Sequence, residues 1–129
     1  MMLGVGTDIV EISRIARAIE SNAFLRKCFT ENELAFAAAK ANAAQHLAGC
    51  FAAKESVAKA LGVGFRGFWP HDIQICHTET GKPYVQLSDA VPAMPLMRLE
   101  ISISHCHAYA TAFAICWQNK EDAHESSTC

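Results

Sequence analysis

The run from Asn42 to Leu61 is rich in alanine, and no residue within it breaks a helix. Gly62 follows as a C-terminal cap. Within the run, Leu47, Phe51, Glu55 and Lys59 are spaced by four and so share one stripe of the helix. Two apolar residues, a carboxylate and an ammonium group therefore lie along one line. Such a stripe predicts a helix that starts in the core and ends at a cleft, with the rest of the chain packed around it.

The chain has 129 residues, which favours one domain. Hydrophobic residues make up 51% and charged residues 19%, enough for a core with apolar surface left to bury against further copies of the chain. From Gln118 onward there are one basic and three acidic residues, so the body carries as many positive as negative charges. That balance does not support a nucleic-acid footprint. No Cys-x-x-Cys pair is present among the six cysteines, which argues against a zinc knuckle or a redox motif. Met1-Met2-Leu3-Gly4 lacks a basic start and a long apolar run, so no signal peptide is expected, and no span has the length of a membrane helix. The expectation is a cytoplasmic protein with reduced thiols.

Leu3 to Asp8 reads as a strand. Ile12, Ile15, Ala16 and Ile19 recur at helical spacing. Asp8 with Glu11 resembles a capping box, which predicts a helix from about Ile9 to Glu20 with Arg14 and Arg17 on its polar side. A short apolar segment runs to Phe29. Thr30 with Glu33 forms a second capping box and starts a helix toward Ala39. Asn42 with Gln45 caps the long helix. After Gly62 the character changes. A Gly-rich loop carries Phe65, Phe68 and Trp69. Asp72–His77 and Tyr84–Leu87 form a hairpin with a Gly81-Lys82-Pro83 tip. Pro92 and Pro95 interrupt the next stretch. Leu99–Ser104 and Tyr109–Trp117 read as strands, and residues 118–129 as a polar, disordered tail after a single domain over 1–117. Strand, helices, then strands define an α+β fold with a mainly antiparallel sheet.

Several residues carry both a structural and a chemical reading. Glu55 and Lys59 suit an exposed helical ion pair. Asp8 suits a helix cap, but a carboxylate at a strand end also suits a site. If Asp8 and Glu55 meet, they offer hard oxygens of the kind magnesium takes alongside water and substrate phosphates, and Lys59 would neutralise a phosphate. His105 and His107, two apart, could ligate a metal. A single strand-end histidine bonding a phosphate or carboxylate is the better reading of His105, and a core position that of His107.

Gly6-Thr7-Asp8, the segment Phe51-Ala-Ala-Lys54-Glu55-Ser56-Val57-Ala58-Lys59, and Ser102-Ile103-Ser104-His105 occur in the order and spacing of phosphopantetheinyl transferases. The opening Gly4 to Ile12, the Gly81-Lys82-Pro83 turn and Tyr109-Ala110 also resemble the small bacterial type. The resemblance covers Leu3 to about Trp117. It implies transfer of 4'-phosphopantetheine from coenzyme A to a serine of an acyl carrier protein. It implies Mg2+ held by Asp8 and Glu55, with Glu55 helping to remove the serine proton and Lys59 stabilising the pyrophosphate. Lys54, Lys59, Gly62, Lys82, Pro83 and His105 would face the coenzyme. Arg14 and Arg17 would face the acidic carrier, and homotrimers with sites between chains would form. Two positions depart from the pattern. Cys50 stands where an arginine is common, one that would help hold a nucleotide phosphate, and Cys106 follows His105 where a polar residue is usual. A metal-dependent phosphohydrolase of nucleotides or coenzyme A and a non-catalytic coenzyme-A-binding protein are the rival readings.

Overall fold

A computed structural model describes residues 1–119. Five strands and four helices follow in the order β1 (Met2–Glu11), α1 (Ile12–Ala18), α2 (Asn22–Cys28), α3 (Glu31–Ala38), α4 (Ala43–Leu61), β2 (Ile73–His77), β3 (Pro83–Leu87), β4 (Met97–His105) and β5 (Tyr109–Gln118). A 3-10 turn, Pro70–Asp72, leads into β2. The strands β1, β5 and β4 form an antiparallel sheet in that order, and β2 pairs with β3 as a hairpin beside β4. Among the described residues, no helix is long and apolar enough to cross a membrane.

The long helix is where its sequence puts it. Asn42 Oδ1 accepts from the Gln45 amide at 3.0 Å, and Gly62 closes α4 in the left-handed conformation at φ 73°, a region glycine enters without strain. Thr30 and Glu33 form the expected reciprocal cap of α3. The start of the chain departs from expectation. β1 continues through Ile9, Val10 and Glu11, which pair with Thr111, Ala110 and Tyr109, so the Asp8–Glu11 capping box does not form. The β-branched pair Ile9-Val10 and a ready partner strand outweigh the local cap signal. The short apolar segment that runs to Phe29 forms the helix α2, capped by Ser21 Oγ, which accepts from the Phe24 amide. Gln118 closes β5 opposite Met97 instead of opening a tail. Residues 120–129, where the rest of that tail was expected, lie outside the described residues.

Small residues set the distance between α4 and the sheet. Gly4 on β1 lies against Ala60 and Gly6 against Ser56 and Ala60, and Ala110, Ala112 and Ala114 on β5 are buried beside them in the sheet. Ser56 Oγ donates to Ala112 O at 3.0 Å, bonding helix to strand. A Cβ at Gly6 would overlap the Ser56 carbonyl oxygen and lie 2.9 Å from the Ala60 nitrogen, both backbone atoms. Gly6→Ala must therefore push α4 off β1. Overpacking of this kind costs about 1–3 kcal/mol, and urea unfolding should register at least that loss.

Candidate active site

The close approach of α4 to β1 brings Asp8 and Glu55 to one cleft. A cavity of about 300 Å3 is lined by both carboxylates together with Arg14, Phe24 and Phe51. Along the α4 stripe, exposure rises from buried Leu47 through half-buried Phe51 and Glu55 to exposed Lys59. Lys59 does not pair with Glu55. Its Nζ donates to Thr7 O at 2.9 Å and lies 3.4 Å from Asp8 Oδ1. Glu55 forms no ion pair with any described residue. Burial in the cleft, and next the charge of Asp8, raise its pKa above the ordinary 4.5, with Lys59 opposing.

This donor set fits a hard divalent cation. Two carboxylates repel across the cleft, and a cation between them would relieve the repulsion. Magnesium commonly takes one or two protein carboxylates and leaves its other positions to water and phosphate. Among the described residues, no group of three or more His, Cys, Asp or Glu side chains is gathered around one point for a metal.

The other sequence candidates lie elsewhere. His105, at the end of β4, and Pro83, at the start of β3, line a second cavity of about 480 Å3, which shares no lining residue with the first. Lys82 sits between two of that cavity's lining residues and is exposed, with its Nζ 3.8 Å from Glu100 Oε2. Gly62 lies at the exposed end of α4, three residues beyond Lys59. Arg14 joins the carboxylate cleft, whereas Arg17 is exposed in the last turn of α1 and does not line it. His107 is not a core residue; it occupies the exposed bend between β4 and β5, off the strand that carries His105.

Lys54 requires a correction. Expected at the coenzyme, it is 0% exposed and turned into the core. Its ammonium group donates to both Glu33 oxygens at 2.8 Å, to Ile73 O at 2.6 Å and to Pro70 O at 3.2 Å. Glu33 in turn accepts from the Thr30 and Ile75 amides. This ion pair ties α3, α4 and the start of β2 together, and both charges are fully hydrogen-bonded, as burial demands. Sequence reading also passed over Phe36, Lys40, His46 and His77, which converge on the second cavity. His46, Cys50 and Lys54 form a second stripe of spacing four on α4, and that was the available signal. Nothing in the local sequence places His77 beside it.

The chain matches the family model of the 4'-phosphopantetheinyl transferase superfamily over residues 4–118. It belongs to that superfamily. It is 46% identical over 119 residues to a holo-[acyl-carrier-protein] synthase of Clostridium beijerinckii, covering 89% of this chain and 97% of that one. Among solved structures, it is similar to a holo-(acyl-carrier-protein) synthase from Bacillus anthracis in complex with coenzyme A (3',5'-ADP). The TM-score is 0.79 and the identity 30%, over 92% of this chain and 99% of that one. It is also similar to the Helicobacter pylori holo-[acyl-carrier-protein] synthase in complex with coenzyme A, at TM-score 0.74 and 29% identity, over 88% and 99% of the two chains.

Proposed function

We propose that this chain transfers 4'-phosphopantetheine from coenzyme A to a serine of an apo acyl carrier protein and releases adenosine 3',5'-bisphosphate. The observation that carries the reading is the shared cleft of Asp8 and Glu55 with Lys59 at its rim, in a chain of this superfamily. The serine oxygen attacks the pantetheine-bearing phosphorus, and the bond from that phosphorus to the bridging oxygen breaks. Glu55 takes the serine proton, a task suited to a carboxylate whose basicity is raised by its surroundings. Asp8 and Glu55 would hold Mg2+, which when bound neutralises pyrophosphate charge. Lys59, tethered to Thr7 O, supplies a positive charge for the departing nucleotide. In such transfers, positioning and charge neutralisation dominate. Arg14 at the cleft and Arg17 a turn along meet the acidic face of the carrier.

The His105 half and the carboxylate half lie on different faces of α4. That separation supports a homotrimer in which neighbouring chains complete each site. The outer face of the sheet supports it too, because Ile9 is 67% and Phe113 43% exposed there, beside exposed Val5 and Tyr109. An apolar patch of this kind marks an association surface. Phe113→Glu should yield monomers in sedimentation and lose most transfer activity while keeping its secondary structure.

The function is tested by incubating the protein with apo carrier, coenzyme A and Mg2+ and weighing the carrier. Gain of one phosphopantetheine group, abolished by chelator, is expected. Free 4'-phosphopantetheine released without a carrier would instead indicate hydrolysis. Coenzyme A binding with neither product would indicate a binding protein.

A further inference from the structure

The cleft acid on β1 is loosely held by its own contacts and firmly held through its backbone. Among the described residues, the Asp8 carboxylate has one hydrogen-bond partner, the Lys59 ammonium group at 3.4 Å. A contact that long orients a carboxylate weakly, so its direction is left to the main chain. There, both peptide units that flank the Asp8 Cα are held by side-chain donors. Lys59 Nζ donates to Thr7 O at 2.9 Å, and Thr111 Oγ1 donates to Asp8 O at 2.8 Å. The planes of those two units define φ and ψ of Asp8, and hence the line of its Cα–Cβ bond. The residue opposite is gripped as well. Ala112, the strand partner of Asp8, accepts at its carbonyl from Thr7 Oγ1 at 3.2 Å and from Ser56 Oγ at 3.0 Å.

Thr111 acts from outside the cleft. Ala112 is buried on the face of the sheet that α4 covers, and Asp8 shares that rung. Side chains alternate along a strand, so Thr111, one residue earlier on β5, stands on the opposite face. Its neighbours across the sheet are Ile9 on β1 and Ser104 on β4. It lines neither of the two cavities. A strand pair needs no hydroxyl at this position, so the bond to Asp8 O is an addition to the backbone ladder.

We propose that Thr111 is a positioning residue for the cleft. Its hydroxyl, acting through the Asp8 carbonyl, holds the Asp8 carboxylate at the angle from which it shares one divalent cation with Glu55. This rests on the transferase reading of those two acids. Magnesium demands near-ideal octahedral geometry, so a ligand turned aside by a relaxed backbone is a weaker ligand. The groups that fix a ligand's direction therefore act on metal affinity without touching the metal.

The test compares Thr111→Val with Thr111→Ser. Valine keeps the branched shape and loses the donor; serine keeps the donor and loses the methyl group. Mn2+ binding is read by electron paramagnetic resonance on folded protein, and transfer kinetics are read with coenzyme A, apo carrier and Mg2+. Valine should weaken Mn2+ binding about tenfold and lower kcat about tenfold with KM for the carrier unchanged, whereas serine should stay within about twofold of wild type in both. A role in packing alone gives the reverse order, with serine the worse substitution. That order overturns the proposal. So does undiminished Mn2+ affinity in the valine variant, and so does a wild-type chain that binds no Mn2+. Sedimentation should match wild type, and a change in association that accompanies the lost Mn2+ overturns the proposal in favour of an interface role. Should the valine variant not fold, Thr111→Ala takes its place with the same expectation. Wild-type Mn2+ affinity in the valine variant of a chain that modifies its carrier sinks this proposal alone. Donor-dependent Mn2+ binding in a chain that leaves the carrier unmodified sinks the transferase reading alone.

Discussion

Glu55→Gln should lower the rate of phosphopantetheine transfer by about 10²–10⁴-fold, the usual contribution of a positioned general base. The same substitution should stabilise the fold. In the folded chain, burial and the Asp8 charge raise the Glu55 pKa above 4.5, so between the ordinary and the raised value the native state holds a proton that the unfolded chain has released. The stability that protonation confers is present at low pH and is lost as pH rises through the raised value. At neutral pH without divalent cation, the wild-type chain carries a desolvated charge facing another of the same sign. Glutamine removes it. Thermal unfolding in chelator should therefore show Glu55→Gln melting above wild type at pH 7, with the gap closing toward pH 4. Saturating Mg2+ should narrow the gap at pH 7, because the cation compensates the charge that glutamine deletes. A residue that is costly to the fold and needed by the chemistry is the expected mark of a working site. Asp8→Ala should likewise abolish turnover without unfolding the chain.

Lys54→Met should cost about 3–5 kcal/mol, the penalty for stranding one partner of a buried ion pair. The substitution leaves Glu33 as a carboxylate in the core and removes the donor to Ile73 O and Pro70 O. The measurement is the urea midpoint of the single variant beside that of Glu33→Gln with Lys54→Met. The double variant removes both charges and should unfold at a higher urea concentration than the Lys54 single variant. Were Lys54 instead a coenzyme contact, its loss would raise KM for coenzyme A at unchanged stability.

The sequence signals that held were those whose physics is local. The Thr30–Glu33 box, the Asn42 cap, Gly62 and the spacing of Leu47, Phe51, Glu55 and Lys59 each depend on residues within a turn or two of one another. The hairpin at Gly81-Lys82-Pro83 is of the same kind. The readings that failed were decided by distant partners. The Asp8–Glu11 cap lost to pairing with a strand about a hundred residues further on. Lys54 sits beside Glu55 in the sequence yet points about a hundred degrees around the helix, into a core built by α3 and β2. Glu33, legible as a cap, also anchors Lys54 and the Ile75 amide, and no local pattern announces that. The Phe36–His46–His77 stack draws on three elements at once. The meeting of Asp8 with Glu55 depends on Gly6 letting α4 close onto β1, so that the glycine of the Gly6-Thr7-Asp8 motif is a matter of distance rather than of chemistry.

The claim beneath the whole account is that the cleft acids act as one cation site, and manganese titration followed by electron paramagnetic resonance in the presence of coenzyme A tests it most directly. The account predicts one tightly held Mn2+ per chain in the wild type, lost in Asp8→Ala and lost again in Glu55→Gln, with both variants folded. Undiminished Mn2+ binding in either variant would contradict it.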